Sequence, residues 1–251
     1  MNRKFSTLAL CALAALACFS GGCQRSLLAV RESGDDNYAH GRYEAALTDY
    51  QEYLQRSPGR PEVYHMLGRT YLAMGQTGMA RENLLIAHSL RVEDDAIFAS
   101  ACEGLYADKK YEDLNLLLKA RIIDHGRMKD YLLLADYAQK QGDMDAAQSA
   151  LLTAAKVDGG RSIQPQLELA KVYMKVGDSQ RAVQRLRMAY FIDPKNVEVT
   201  TLAQQLGEIV GPSFAIMPEE QANGPVAPYP PREPPASSTS VPTEDPDKNT
   251  P

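Results

Sequence analysis

A single short pattern recurs along most of this chain at a spacing near 34 residues. Its clearest copies are Gly75, Ala80, Leu84, Ala87 and Gly177, Ala182, Leu186, Ala189, the second followed by Pro194. A first copy reads Gly41, Ala46, Tyr50, Tyr53, Pro58, and a fourth reads Gly142, Ala147, Leu151, Ala154. The third is degenerate, with Lys109 at the glycine position, then Leu114 and Leu118. Successive anchors are separated by 34, 34, 33 and 35 residues. A fixed period of this length is the mark of a stacked helical repeat, in which each unit buries its apolar face on its neighbours. Such arrays are generally binding surfaces rather than catalysts.

The repeats divide the chain. Units fall near 27–60, 61–94, 95–127, 128–162 and 163–196. In the second, Tyr64, Leu67, Gly68 and Tyr71 form one apolar stripe at i, i+3, i+4, i+7, the spacing of a helix face. Gly68 stands where two helices must approach closely. Residues 197–210 continue helical through Leu202, Leu206 and Ile209 and are expected to cap the fifth repeat, as terminal elements of arrays do. The first repeat has a poor first helix, with Val30 and Ser33 at its landmarks, so its edge is expected to be weak. Residues 212–251 contain 11 prolines among 40 residues. They bury too little apolar surface to offset chain entropy and are expected to form a disordered tail. Tyr229 to Pro235 reads as a polyproline spacer or as a ligand for another protein. Phe214-Ala215-Ile216-Met217 is an exception, an apolar patch expected to fold back on the array.

The repeat resembles the tetratricopeptide repeat, or TPR, whose pattern is W-x2-L-G-x2-Y, then G-x-Y-x2-A-x3-F-x2-A and a final Pro. Gly41-Arg42-Tyr43-Glu44-Ala45-Ala46 matches its turn directly. No copy keeps the Trp; Tyr64, Phe98 and Tyr131 stand in for it. The resemblance implies an all-α superhelical solenoid of five helix-turn-helix repeats.

Residues 1–22 have the character of an export signal. Arg3 and Lys4 precede an apolar run from Phe5 to Phe19, too short for a comfortable membrane span. Ser20-Gly21-Gly22-Cys23 resembles the lipobox of bacterial lipoproteins, in which the Cys is diacylated and becomes the first mature residue. Cys23 is thus the candidate lipidation site. Cys18, cleavage after Ala17 without lipid, and an uncleaved anchor remain alternatives. By analogy with lipoprotein sorting, Gln24 favours the outer membrane, facing the periplasm. Of four cysteines only Cys102 then remains, at a small-residue repeat position, which marks a buried structural thiol rather than a nucleophile.

The formal charge is −5, and −7 without the signal, which argues against nucleic acid as a partner. Phosphate-binding, zinc-protease and serine-hydrolase motifs are missing from the sequence. His40, His65, His88 and His125 are dispersed. No catalytic residue, metal ligand, cofactor or small-molecule substrate is therefore expected.

What remains is surface. In a two-helix repeat the first helix lines the concave side, and its positions 2, 5, 9 and 12 share one stripe. The candidate protein-binding residues on that stripe are Arg31, Asp35, Tyr38, His65, Arg69, Glu103, Tyr106, Lys129, Leu132, Asp136, Lys171 and Met174; Leu28, Glu62, Leu72, Ala96, Ala99, Gln139, Gln164 and Leu167 occupy its other positions. Aromatic, aliphatic and charged groups of both signs alternate there, which suits an extended peptide or partner helix. The combination of lipobox and TPR array resembles pilotin-type lipoproteins and the TPR lipoprotein of the outer-membrane assembly complex. The expected function is a membrane-anchored scaffold for pilus, secretion or outer-membrane assembly. A non-catalytic regulatory or targeting subunit of a cell-wall enzyme is the alternative.

Overall fold

The computed structural model describes residues 24–223. They form helices in consecutive antiparallel pairs, and no strand occurs among them. The elements are α1 (Leu27–Ala39), α2 (Tyr43–Arg56), α3 (Pro61–Ala73), α4 (Thr77–Leu90), α5 (Asp95–Ala107), α6 (Tyr111–Asp124), α7 (Met128–Gln141), α8 (Met144–Asp158), α9 (Ile163–Lys175), α10 (Ser179–Ile192), α11 (Val197–Gln205) and a short α12 (Glu219–Asn223). The chain divides into two compact units, one up to Leu117 and one from Leu118.

The five sequence anchors explain the pairing. Gly41, Gly75, Gly142 and Gly177 have φ of 71°, 72°, 82° and 79°, and Lys109 follows them at 58°. Each anchor reverses the chain after a first helix. The next residue then donates its N–H five residues back. Arg42, Gln76, Lys110, Asp143 and Asp178 reach the carbonyls of Asn37, Tyr71, Leu105, Ala138 and Tyr173 at 2.8–2.9 Å. This closes helix ends whose last carbonyls lack partners, the Schellman arrangement. Glycine suits it because a Cβ clashes in left-handed backbone; Lys109 accepts that strain.

Packing within a pair relies on small residues. Ala46, Ala80, Ala147 and Ala182 are fully buried. A Cβ built on Gly68 would lie 2.6 Å from Leu84 Cγ and 3.2 Å from the Ala80 carbonyl, so α3 meets α4 there without a side chain. The first unit is centred on Ala46, Tyr50, Val63, Leu67, Tyr71 and Ala80. Cys102 is wholly buried, as its repeat position implies.

The first repeat is better held than its landmarks suggest. The Ser26 hydroxyl accepts from Ala29 N–H and caps α1. Asp49, buried on α2, accepts from Ser33 Oγ at 2.7 Å, Asn37 Nδ2 at 2.9 Å and Arg25 at 2.7 Å. Burial alone would push the Asp49 carboxyl up. Bonds from Ser33, Arg25 and Asn37 outweigh it and hold it below the usual carboxylate range. Ser33, at a position where apolar packing was expected, thus serves a buried polar network, which is stable only when its members are satisfied.

In the second unit, Ala135, Leu151, Leu169, Val172 and Tyr173 make one core and Leu167, Ala170, Leu186, Val199 and Ala203 another. Helix α11 covers the latter as a cap but stops at Gln205 rather than 210. Gly207 at φ 81° turns the chain, and Ile209 is fully outside.

Candidate functional site

In the first unit the first helices of successive repeats, α1, α3 and α5, touch one another as well as their own partners. That contact aligns the predicted stripe. The Arg69 guanidinium on α3 stacks over the Tyr38 ring of α1, 5.4 Å from its centroid. Tyr38 also lies 5.7 Å from the Tyr43 ring. One turn back on α1, Asp35 accepts from the Tyr50 hydroxyl at 2.7 Å and lies 3.7 Å from Arg31. His65 Nε2 and Ser100 Oγ of α5 are 2.7 Å apart. Burial, and secondarily Arg69, depress the His65 pKa against the smaller pull of Asp94. Ser100 was not a predicted site residue, since it occupies position 6. Glu103 is exposed and Tyr106 half-buried on α5, where the Tyr106 ring lies tilted against that of Tyr111 at 5.6 Å. The result is a row of aromatic faces, a guanidinium and carboxylates across three helices. It can grip side chains by stacking and charge. Stacked cation–π pairs at partly exposed sites are worth about 0.5–1 kcal/mol each.

In the second unit, α7 and α9 bound a cleft of about 250 Å³. Leu132, Ala135 and Leu151 form its floor, and Asp136, Gln139, Gln164 and Glu168 its rim. Leu132 and Asp136 were both predicted. Asp136 pairs with Lys140 at 2.6 Å, and Lys175 donates to Gln139 at 2.7 Å. Lys129 is exposed in the first turn of α7. Met174 is partly buried against the core.

Two stripe residues have other duties. Leu167 is 5% exposed in the core beside Phe214, so it offers nothing to a ligand. Lys171 lies 2.8 Å from both Glu168 and Glu198 of the cap. Burial lowers its pKa and those two carboxylates raise it further, with a net rise. Lys171 therefore pins α11 to α9.

The start of the predicted disordered tail is ordered. Residues 212–223 return over the second unit. Phe214 is buried and meets Tyr190 edge-on at 5.7 Å, and Arg187 Nε donates to its carbonyl at 2.8 Å. Glu220 reaches a buried cluster in which Arg185 donates to it at 2.7 Å and to Gln166 at 2.8 Å, while Gln166 donates to Glu220 at 3.1 Å. The fold-back at Phe214 was expected; the Glu220 contact was not. One sign was available: Gln166 occupies the position where Tyr64, Phe98 and Tyr131 supply an aromatic. The rest of the tail, like Cys23, lies outside the described residues. Among the described residues no group of three His, Cys, Asp or Glu could hold a metal ion, and no helix is long and apolar enough to cross a membrane.

Comparison with known proteins agrees with this geometry. Residues 37–100 and 131–160 match two tetratricopeptide repeat models. Those two segments are tetratricopeptide repeats, and the paired helices of the described residues have the fold of such repeats, which generally serve protein–protein interaction. Solved structures share the fold. MamA, residues 41 to the end, from Desulfovibrio magneticus RS-1 superposes with a TM-score of 0.53 at 16% identity, covering 70% of this chain and 99% of that one. Pseudomonas aeruginosa pilF gives 0.51 at 16%, covering 72% and 82%. Yeast Tom70 gives 0.52 at 16%, covering 64% of this chain and 35% of that one. No curated protein matches the chain in sequence.

Proposed function

We propose that this chain is a non-catalytic scaffold, lipid-anchored through Cys23 in the bacterial envelope. It binds a protein or peptide partner along the first helices of its repeats. The observation that carries the reading is the stacking of Arg69 on Tyr38, with His65 set against Ser100 on the next helix. Side chains from three separate repeats thereby face one strip of surface, and an extended segment is the ligand shape that spans such a strip. The Ser20-Gly21-Gly22-Cys23 sequence supports export and lipidation, and with the repeats it supports a part in assembling a pilus, secretion or outer-membrane complex.

Arg69→Glu with Tyr106→Ala should abolish partner capture from envelope extract while leaving helicity intact. Capture of secretin or pilin components would support assembly; capture of a cell-wall hydrolase would replace it with the regulatory reading. Unchanged capture by the double variant would move the interface off this face. Cys23→Ser should abolish palmitate labelling and membrane fractionation together.

A further inference from the structure

We infer that the N-terminal edge of the first repeat is a membrane-apposed surface, held flat against lipid headgroups with no slack. The inference rests on lipidation at Cys23 and goes beyond it, because an anchor alone leaves a protein free to swing.

Chain length makes the case. Arg25 is two residues past Cys23, and its guanidinium is fixed at 2.7 Å to Asp49 and 2.6 Å to Glu52 of α2. Ser26 already caps α1. Two residues of chain span at most about 7 Å. The polar layer of one leaflet is roughly 5–8 Å thick. A diacyl group on Cys23 in the hydrocarbon thus brings the folded edge directly onto the headgroups.

The chemistry of that edge suits the contact. Helices α1 and α2 are antiparallel, so the start of α1 lies beside the end of α2. Arg25 and Arg56 share Glu52, at 2.6 Å and 2.8 Å, which places both on this edge. The exposed turn Pro58-Gly59-Arg60 follows directly. Leu28, in the first turn of α1, is 65% exposed. Arg25 and Arg56 stay engaged by Asp49 and Glu52, while exposed Leu28 and exposed Arg60 suit a headgroup boundary, where an apolar group enters and a cation meets phosphate.

The orientation has a direct test. The lipidated protein is reconstituted in vesicles of phosphatidylethanolamine and phosphatidylglycerol carrying a headgroup nitroxide. A fluorophore is placed by Arg60→Cys on this edge or by Gln76→Cys at the opposite end of α3, roughly 20 Å away along the helix; both carry Cys102→Ser. We expect quenching several-fold stronger at position 60. A flexible Gly-Ser insertion of about 15 residues after Gln24, which adds roughly 20 Å of reach, should erase the difference. Equal quenching at both sites in the uninserted protein, or a difference that survives the insertion, would overturn the inference while leaving the anchor intact. Mass spectrometry of the purified protein reads the anchor itself, and a Cys23 without lipid would overturn both.

Discussion

Arg185 and Glu220 meet at 2.7 Å across 35 residues of chain, both buried, with Gln166 bonded to each. This contact joins the segment after the cap to the last repeat. Removing one partner of a buried pair leaves the other charge without compensation and costs about 3–5 kcal/mol. Glu220→Ala should destabilise the second unit by that order, read as a lower urea midpoint at unchanged slope. Arg185→Met combined with Glu220→Met should recover much of the loss, because the uncompensated charge is gone. A midpoint unchanged by Glu220→Ala would mean that the segment does not hold its place in solution.

The left-handed anchors predict an asymmetry. Gly177→Ala places a Cβ at φ 79° and should cost roughly 1 kcal/mol. Lys109→Gly relieves the same strain but frees the unfolded chain by a comparable amount, so the net change should stay below about 0.5 kcal/mol. Thermal melts of both variants check the contrast.

Gly68→Ala introduces overlap rather than strain. Its Cβ would lie 2.6 Å from Leu84 Cγ and 3.2 Å from backbone at Ala80, so α3 and α4 must separate. A loss of about 1–3 kcal/mol is expected, and the further change Leu84→Val should return part of it. Equilibrium unfolding of the single and double variants decides this.

His65 gives the first unit a pH dependence. Burial depresses its folded-state pKa below 6.5, so the unfolded chain binds a proton that the folded chain refuses. Stability contributed at this site is complete above pH 6.5 and falls as pH drops below it. His65→Leu should flatten that part of the profile. A proton NMR titration of His65 with a midpoint at or above 6.5 would contradict the burial.

The array was legible because its period is written in residues that each do one geometric task. Glycine supplies a positive φ, alanine supplies close approach, and leucine fills the space between; even Lys109 could be placed from register alone. The stripe was legible as a helix face: Tyr38, Arg69 and His65 lie along first helices in the first unit, and Leu132 and Asp136 line a cleft in the second. What periodicity could not show is pairing between distant residues. Lys171 reads as a free cation until Glu198 of the cap comes beside it. Leu167 reads as groove until Phe214 covers it. Ser33 looks like weak helix until Asp49 collects it together with Asn37. Glu220 looked like tail because composition averages over forty residues, whereas one carboxylate opposite Arg185 and one ring in an apolar socket suffice to order a dozen.

Partners are proposed to engage the first helices of the repeats, and crosslinking at two exposed glutamates separates this face from the second helices. A photo-crosslinking residue at Glu103, exposed on α5, is compared in living cells with one at Glu82, exposed on α4. A discrete protein adduct is expected from position 103 that disappears in the Arg69→Glu background, and none from position 82. An adduct from position 82 with none from 103 would contradict it.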